Sequence, residues 1–398
     1  MLSVVSIASV GSTQSLTWLG TLGGVSSSAS GVSNDGSVVV GNADTNGNGV
    51  RAFRWTSNTG MVALGALGGT ESFGTAVSAD GSVVVGLADS TFGRRDAFRW
   101  TQSTGMQMIE SRGTSSAAAA VSANGGVVAG GFRYSLSPLI DKGFVWTVSQ
   151  TVDLEAVGGT RVFVGKISRD GGAVVGSMTI YPNPNVTARA FRWTAGTGMQ
   201  NLGQLGTGVF NNSEASCVSA NGEIVYGSSE QGTGGNRVMF RWTQATGMQS
   251  TGAAMSPNDT TDDGSVVVGH VDFNTAVRWT QSNGVENLNT TYAHLLNDGS
   301  RLSVATAITS DGRFIVGQGY NAATDRNEAF LLDTLAQCVS HNGDVDSNGC
   351  VDDGDLLAVL FAFGQVGQNL GRVDINCDTA VDDADLLIIL FNFGMGCE

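Results

Sequence analysis

Proline, histidine and basic residues are all scarce in this chain of 398 residues, which holds 4 prolines, 3 histidines and 20 Lys/Arg against 35 Asp/Glu. Each scarcity excludes something. A formal charge of -15 argues against nucleic acid as a partner. His270 and His294 fall in non-equivalent places of the long repeated part, which leaves a His-based nucleophile system little to build on. No apolar run approaches the roughly eighteen residues that a membrane-spanning helix needs, so no membrane span is expected. Glycine, by contrast, numbers 57 without a Gly-X-Y period. Set among Val, Ser, Thr and Trp, it predicts short strands joined by tight turns and an all-β fold, and excludes collagen.

One phrase is restated along the chain: GVSNDGSVVVG (Gly31 to Gly41), then AFRWT (Ala52 to Thr56), then GMVALG (Gly60 to Gly65). Aligning its turns gives seven copies, at Asp35-Gly36, Asp80-Gly81, Asn124-Gly125, Asp170-Gly171, Asn221-Gly222, Asp263-Gly264 and Asp311-Gly312. Trp55, Trp100, Trp146, Trp193, Trp242 and Trp279 keep the same position, with Leu332 in the seventh copy, at spacings of 45, 46, 47, 49, 37 and 53 residues. Such spacings belong to a repeat architecture whose insertions fall in loops. In the second copy, period-2 reading gives four strands, GTAVS, SVVVGLA, DAFRWT and GMQMI. The Asx-Gly pair supplies the positive φ of a tight hairpin, and the valine run reads as a strand buried on both faces.

Four-stranded antiparallel units of this size, repeated radially, predict a seven-bladed β-propeller over residues 15–335. The seventh copy stops after AFLLDT (Ala329 to Thr334), while LTWLG (Leu16 to Gly20) precedes the first copy with nothing to pair with. An N-terminal strand completing the last blade would close the ring and remove its exposed edges. A right-handed β-solenoid is the alternative, although solenoids usually have shorter repeats.

Through LGxLGG, VSxDGSVVVG, AFRWT and GMxxLG, residues 16–335 resemble the bacterial extracellular repeats named for a His-Ala-Phe tripeptide, the HAF repeats. The histidine is replaced here, by Arg51, Asp96, Arg189 and Glu328 before the Ala-Phe pair. The resemblance implies a secreted or surface-located protein and no particular activity. The opening MLSVVSIASVGS, residues 1–14, reads as the remnant of a signal peptide.

After Thr334 the phrasing changes. Residues 336–341 serve as a linker, and residues 338–398 hold eleven Asp/Glu and one Arg, so most of the negative charge lies there. Two loops follow thirty residues apart: Asp344, Asp346, Asn348, Cys350, Asp352 and Asp355 in the first, and Asp374, Asn376, Asp378, Ala380, Asp382 and Asp385 in the second. Oxygen side chains stand at loop positions 1, 3, 5, 9 and 12, with a backbone carbonyl at 7, from Cys350 or Ala380. This is EF-hand spacing, which suits Ca2+ and predicts two ions. Position 12 carries Asp rather than Glu, and Thr379 stands where Gly would turn more cheaply, so the second site is expected to be the weaker.

Each loop precedes an apolar stretch at helical spacing, Leu356, Leu357, Leu360 and Phe361, then Leu386, Leu387, Leu390 and Phe391, and the two helices are expected to pack together. The loop-helix duplicate, residues 342–398, resembles a type I dockerin. The resemblance implies a cohesin-like partner and company with polysaccharide-degrading systems. It departs at loop positions 10 and 11, where Asp353-Gly354 and Asp383-Ala384 replace the Ser-Thr common in cellulosomal dockerins. Four of the five cysteines fall in the tail, and four cysteines allow three pairings. The preferred one is Cys338 with Cys397 and Cys350 with Cys377. Cys217 lies alone in a strand and reads as a small buried hydrophobe.

The repeated Arg54, Arg99, Arg192, Arg241 and Arg278 read as side chains reaching a neighbouring blade. The loop acids Asp44, Glu71, Asp89, Asp141, Glu214 and Asp272 show no catalytic pairing, so no catalytic residue is assigned. These readings converge on a secreted or cell-surface, non-catalytic binding or scaffold protein. Its propeller would display ligand-binding loops, with polysaccharide as a candidate ligand, and its tail would attach to a cohesin-like domain or another cell-surface component. A secreted carbohydrate-active enzyme, a glycoside hydrolase or lyase on a propeller, is the alternative. A structural component of an envelope layer is the third.

Overall fold

The computed structural model describes residues 14–334, apart from 48, 137–138, 160, 181–186, 208–211 and 232–235, and residues 342–345, 350–366, 370, 373–376, 378 and 380–397 of the tail. The first thirteen residues and the linker at 336–341 lie outside the described residues. Strand accounts for 55% and helix for 8%, which makes the chain mostly β. It divides into two compact units, Leu16–Leu332 and a second that contains the tail.

Each repeat folds as an antiparallel meander. In the second repeat the strands are Gly68–Val77, Val83–Ser90, Arg95–Thr101 and Gly105–Glu110, and they pair in that order. The third to sixth repeats each form a four-stranded sheet of the same order. The first repeat shares one larger sheet with the strands of the seventh, through a parallel bridge between Ser26 and Asn327. On the edge of Arg326–Asp333 away from Phe314–Asn321 lies Ser15–Trp18, the N-terminal strand. There Leu19 N donates to Ala329 O at 2.9 Å, and Trp18 meets Phe330 edge-on with ring centroids 6.2 Å apart.

The repeated phrase explains its own packing. Val38, Val39 and Val40 are all buried, as are Val83, Val84 and Val85, so the run faces neighbouring layers on both sides. The glycine that follows is required. A Cβ on Gly41 would lie 2.0 Å from Ser28 O, and the same clash recurs at Gly86 with Phe73 O, at 1.9 Å. Across the strand pair the space over each glycine is taken by the phenylalanine of the AF dipeptide, Phe53 opposite Gly41 and Phe98 opposite Gly86, each fully buried. In the sixth repeat Val277 replaces the phenylalanine, and the methyl of Met255 fills the place above Gly269.

The first strand of every repeat has a register shift at one place, between Ala29 and Gly31 in the first and between Gly74 and Ala76 in the second. The extra residue left by such a bulge reaches the next sheet. Ser30 Oγ donates to Gly74 O at 2.6 Å, Thr75 Oγ1 to Ala118 O at 2.8 Å, and Asn258 Nδ2 to Ala305 O at 2.8 Å. Thr306 Oγ1 of the seventh repeat donates to Ala29 O of the first at 2.8 Å.

The Asx-Gly turns differ from the expected tight hairpin. Only the glycine takes the left-handed conformation, with φ of 71° at Gly36 and at Gly81, and the loop spans Ser33 to Val38. Its geometry is set by a hydroxyl and a carboxylate: Ser33 Oγ donates to Asp35 Oδ1 at 2.6 Å and accepts Val38 N at 2.9 Å. This is an Asx turn closed by the serine of VSxDG. The Ser33 hydroxyl, with Ser37 beside it, holds the Asp35 carboxyl below its ordinary range despite some burial.

In the tail, Asp353–Ala362 and Asp383–Asn392 are helices. They share a core of Val351, Val359, Ala362, Ile375, Val381 and Ile389. The expected apolar stripe is displaced: Leu357, Leu360, Phe361, Leu387, Leu390 and Phe391 are exposed, both phenylalanines at 83%. These helices are apolar around most of their circumference, and the buried face follows Asp355 and Asp385, which anchor the loops. The preferred cysteine pairing is also overturned, because Cys350 bonds to Cys397. Val351 N donates to Met395 O at 3.0 Å and Gly394 N to Val351 O at 2.8 Å, which lays the chain's end beside the first loop and brings Cys397 to Cys350. Cys338 and Cys377 lie outside the described residues.

Candidate functional site

The second tail loop gathers its acids. Carboxylate oxygens of Asp374, Asp378 and Asp385 lie within 4.8 Å of one another, with Asp374 and Asp385 buried. Asp385 Oδ1 accepts Ile375 N at 2.6 Å and Asn376 N at 3.1 Å, while its Oδ2 accepts Asp382 N at 3.0 Å. Asp382 caps the helix by accepting Ala384 N at 2.8 Å. Asn376 Oδ1 accepts Asp378 N at 3.0 Å, and Asp378 Oδ1 accepts Ala380 N at 3.0 Å. In the first loop Asp355 is likewise buried, taking Val345 N at 2.6 Å and Asp352 N at 2.9 Å, and Asp352 takes Gly354 N at 2.8 Å. Asp344 and Cys350 are half-buried, and Asp346 and Asn348 lie outside the described residues. Hard oxygen donors converging on one point, two of them removed from water, fit a calcium ion by the chemistry of the donor set.

In the repeated unit, a cavity of about 90 Å³ is bordered by the first strands of all seven repeats. Most repeats bring small side chains to it, such as Ala76, Ala120 and Ala307. The fourth and sixth instead bring charges. Lys166 Nζ lies 3.2 Å from Asp259 Oδ1, and Arg169 pairs with Asp262 while donating to Asn34 Oδ1. Nearby, Cys217 is fully buried and burial pushes its thiol up, which removes it as a nucleophile.

The two ends of the sheets differ. At the Asx-Gly end the repeated arginines are structural: Arg54 Nε, Arg99 Nε and Arg192 Nε donate to the carbonyls of Gly81, Gly125 and Gly222 in the following repeat, at 3.4, 3.4 and 2.6 Å. Arg278 instead pairs with Glu286 and reaches Tyr292. At the opposite end, where the longer loops lie, aromatic rings meet cations. Arg94 stands over Phe92, Arg95 over Phe73, Arg112 over Phe132, Lys142 over Tyr134, Arg161 over Phe163 and Arg301 over Tyr320, at 4.6 to 5.6 Å. Only Arg313 over Phe314, among the described residues, makes such a contact at the Asx-Gly end. Phe273 joins this face at 78% exposure, on a turn where Asp272 and Phe273 both have φ of 52°, and stacks on the buried His270 at 4.3 Å. The left-handed region is one that non-glycine residues, and bulky ones above all, seldom adopt.

Four of the six loop acids named from the sequence are matched on this face to arginines. Glu71 and Asp89 meet Arg95, Asp141 meets both Arg133 and Arg161, and Glu214 meets Arg237. Asp44 accepts Ser26 Oγ at 2.8 Å. The reading missed these arginines because they fall in the variable loops and strand ends, outside the repeated phrase. Leu87, Phe132, Phe163, Arg95, Arg133 and Asp141 line a pocket of about 400 Å³ here, between the second, third and fourth repeats.

No family model matches the chain, and no curated protein matches it. Solved structures do. An oligogalacturonate lyase, determined in complex with manganese, superposes with a TM-score of 0.55 at 12% identity, over 81% of this chain and 95% of that one. TolB from Acinetobacter baumannii aligns with a TM-score of 0.39 at 9% identity, over 72% of this chain and 77% of that one. At these identities the likeness to the lyase concerns the fold alone, which is propeller-like.

Proposed function

We propose that the chain is a secreted or cell-surface binding protein without catalytic activity. It is a seven-bladed β-propeller of HAF-type repeats, closed by Ser15–Trp18, whose loop face holds a ligand and whose dockerin-like tail binds two calcium ions for attachment. The ring is supported by the bulge residues that join successive sheets, by Thr306 reaching back to Ala29, and by the cavity that all seven first strands border. The observation that carries the binding reading is the segregation of cation-ring pairs to the loop face. Exposed rings beside fixed polar groups suit the apolar faces and hydroxyls of a polysaccharide. Four acids of that face, Glu71, Asp89, Asp141 and Glu214, are held by arginines, which suits them to fixing the loops rather than to moving a proton.

In the tail, Asp374, Asn376, Asp378, Ala380 O, Asp382 and Asp385 would hold one ion, and Asp344, Asp352, Asp355 and Cys350 O would contribute to the other. A bound calcium ion would neutralise carboxylates that otherwise repel one another. Glycan-array binding by the full chain in calcium tests the loop face, with Phe273→Ala and Tyr320→Ala beside the wild type. Retention that weakens in these variants supports the reading, and retention unaffected by either contradicts it.

A further inference from the structure

One pocket on the loop face departs from the repeat pattern. At the residue after the glycine of VVVG, the first and seventh repeats carry polar side chains that bridge to the next sheet. Asn42 Oδ1 accepts Gly74 N at 2.9 Å, and Gln318 Nε2 donates to Ser27 O at 3.1 Å. The second and third repeats carry Leu87 and Gly131 there, which cannot bridge, and between them and the fourth repeat opens the pocket of about 400 Å³. Two positions further along the chain, four repeats carry an acid: Asp44, Asp89, Glu230 and Asp272. The third carries Arg133, so the sign of the charge is reversed where the pocket lies.

Arg133 is fixed rather than loose. Its Nε donates to Asp141 Oδ1 at 2.9 Å, and Arg161 Nε donates to Asp141 Oδ2 at 2.7 Å. Asp141 is 7% exposed, so one buried carboxylate holds two guanidinium groups by their Nε atoms. The terminal nitrogens of Arg133 take no partner among the described residues, and its side chain is 40% exposed. Two cations on one anion leave the cluster locally positive in a chain whose formal charge is -15. A planar fork with its Nε anchored presents its Nη pair to an oxyanion. Beside it, Phe163 offers an exposed ring at 42% and Leu87 an apolar wall, a surface for the C–H face of a sugar ring.

We propose that this pocket binds an anionic pyranose glycan, with the acidic group of one sugar on Arg133 and its ring against the free face of Phe163. The inference rests on the reading of the loop face as a polysaccharide-binding surface. It is tested with the full chain in calcium by affinity electrophoresis against polygalacturonate, a sulfated galactan and a neutral β-glucan. The wild type is expected to be retarded by at least one anionic polymer, less so as salt rises, and the two anionic arms show whether carboxylate or sulfate is taken. Arg133→Gln is expected to weaken that retention about ten-fold, with a smaller loss in Phe163→Ala and none in Arg237→Gln, whose ion pair with Glu214 lies in the fifth repeat. Melting curves matched to the wild type exclude misfolding, and Arg133→Lys, which keeps the charge without the fork, is expected to recover only part of the loss. Retention of the anionic polymers that is unchanged in both Arg133→Gln and Phe163→Ala overturns the site. Retention of the neutral glucan alone overturns the ligand class and leaves the binding reading standing, whereas no retention of any polymer removes both.

Discussion

Lys166 Nζ lies 3.2 Å from Asp259 Oδ1, which ties the first strand of the fourth repeat to that of the sixth. The two residues occupy one position of the repeat, where the others carry Gly31, Ala76, Ala120, Cys217 and Ala307. Three residues on, the same two repeats again oppose charges, Arg169 against Asp262. Small side chains let the strands converge, and a charge at this place is tolerated because its counter-charge stands across the cavity. Both side chains of the first pair keep some exposure, 27% and 20%, so the pair is partly screened. Lys166→Ala is expected to destabilise by about 1–2 kcal/mol, with Lys166→Ala/Asp259→Ala costing less than the sum of the single changes. Denaturant unfolding of the four proteins in the cycle measures this, and strict additivity would mean that the pair is uncoupled.

The serine of VSxDG matters as much as the aspartate. Ser78 is buried, donates to Asp80 Oδ1 at 2.6 Å and accepts Val83 N at 3.0 Å, so Ser78→Ala leaves a buried amide without its acceptor. A loss of about 1–3 kcal/mol is expected in chemical unfolding. Ser103→Ala, whose hydroxyl is exposed at a different turn, should change little.

His270 gives a signature in pH. Burial holds its imidazole below the ordinary value of 6.5. Its Nδ1 faces the Asn258 amide, its ring stacks on Phe273, and its Nε2 has no hydrogen-bond partner among the described residues. A folded-state pKa below the unfolded one means that the unfolded chain takes up the proton first. The stabilisation is therefore complete above about pH 6.5 and is lost as pH falls from there through the depressed folded value. The melting temperature of the wild type should fall more steeply below that pH than that of His270→Gln, and parallel curves would contradict the assignment.

The tail should depend on its covalent and ionic ties. Cys350 and Cys397 are 47 residues apart in sequence. Closing a loop of that length stabilises by about 4 kcal/mol in the chain-entropy treatment, a large share for a small core. Cys397→Ser is expected to lower the melting transition of the tail and to weaken calcium binding to the first loop, as read by calorimetry with and without EGTA. A transition indifferent to both chelation and Cys397→Ser would remove the calcium reading together with the role of the bond.

Much of the repeated unit was legible because its causes are local. A valine run, a glycine and an alternating AFRW segment each act through neighbours one or two strands away, and those neighbours are themselves repeated. The ion pairs of Lys166 and Arg169 were not legible, because which repeats face each other depends on how many there are and how the sheets are arranged. Asp141 stood out as a loop acid, but its partners Arg133 and Arg161 escaped because they lie outside the repeated phrase. In the tail, the loop acids were plain from spacing, while the helix faces were misread by about one position. Val359 and Ala362 are no more apolar than Leu360 and Phe361, and the anchoring of Asp355 to the loop amides decides which side turns inward. The cysteine pairing likewise depended on the course of Gly394 and Met395 beside Val351.

Binding without turnover is measured by incubating the full chain, in calcium, with a panel of neutral and anionic polysaccharides, while following in the same samples both the protein retained and any new reducing or unsaturated chain ends. Retention on at least one polymer, with no release above the blank, is expected. Release of oligosaccharide that increases with protein and time would contradict it and identify the loop face as an active site.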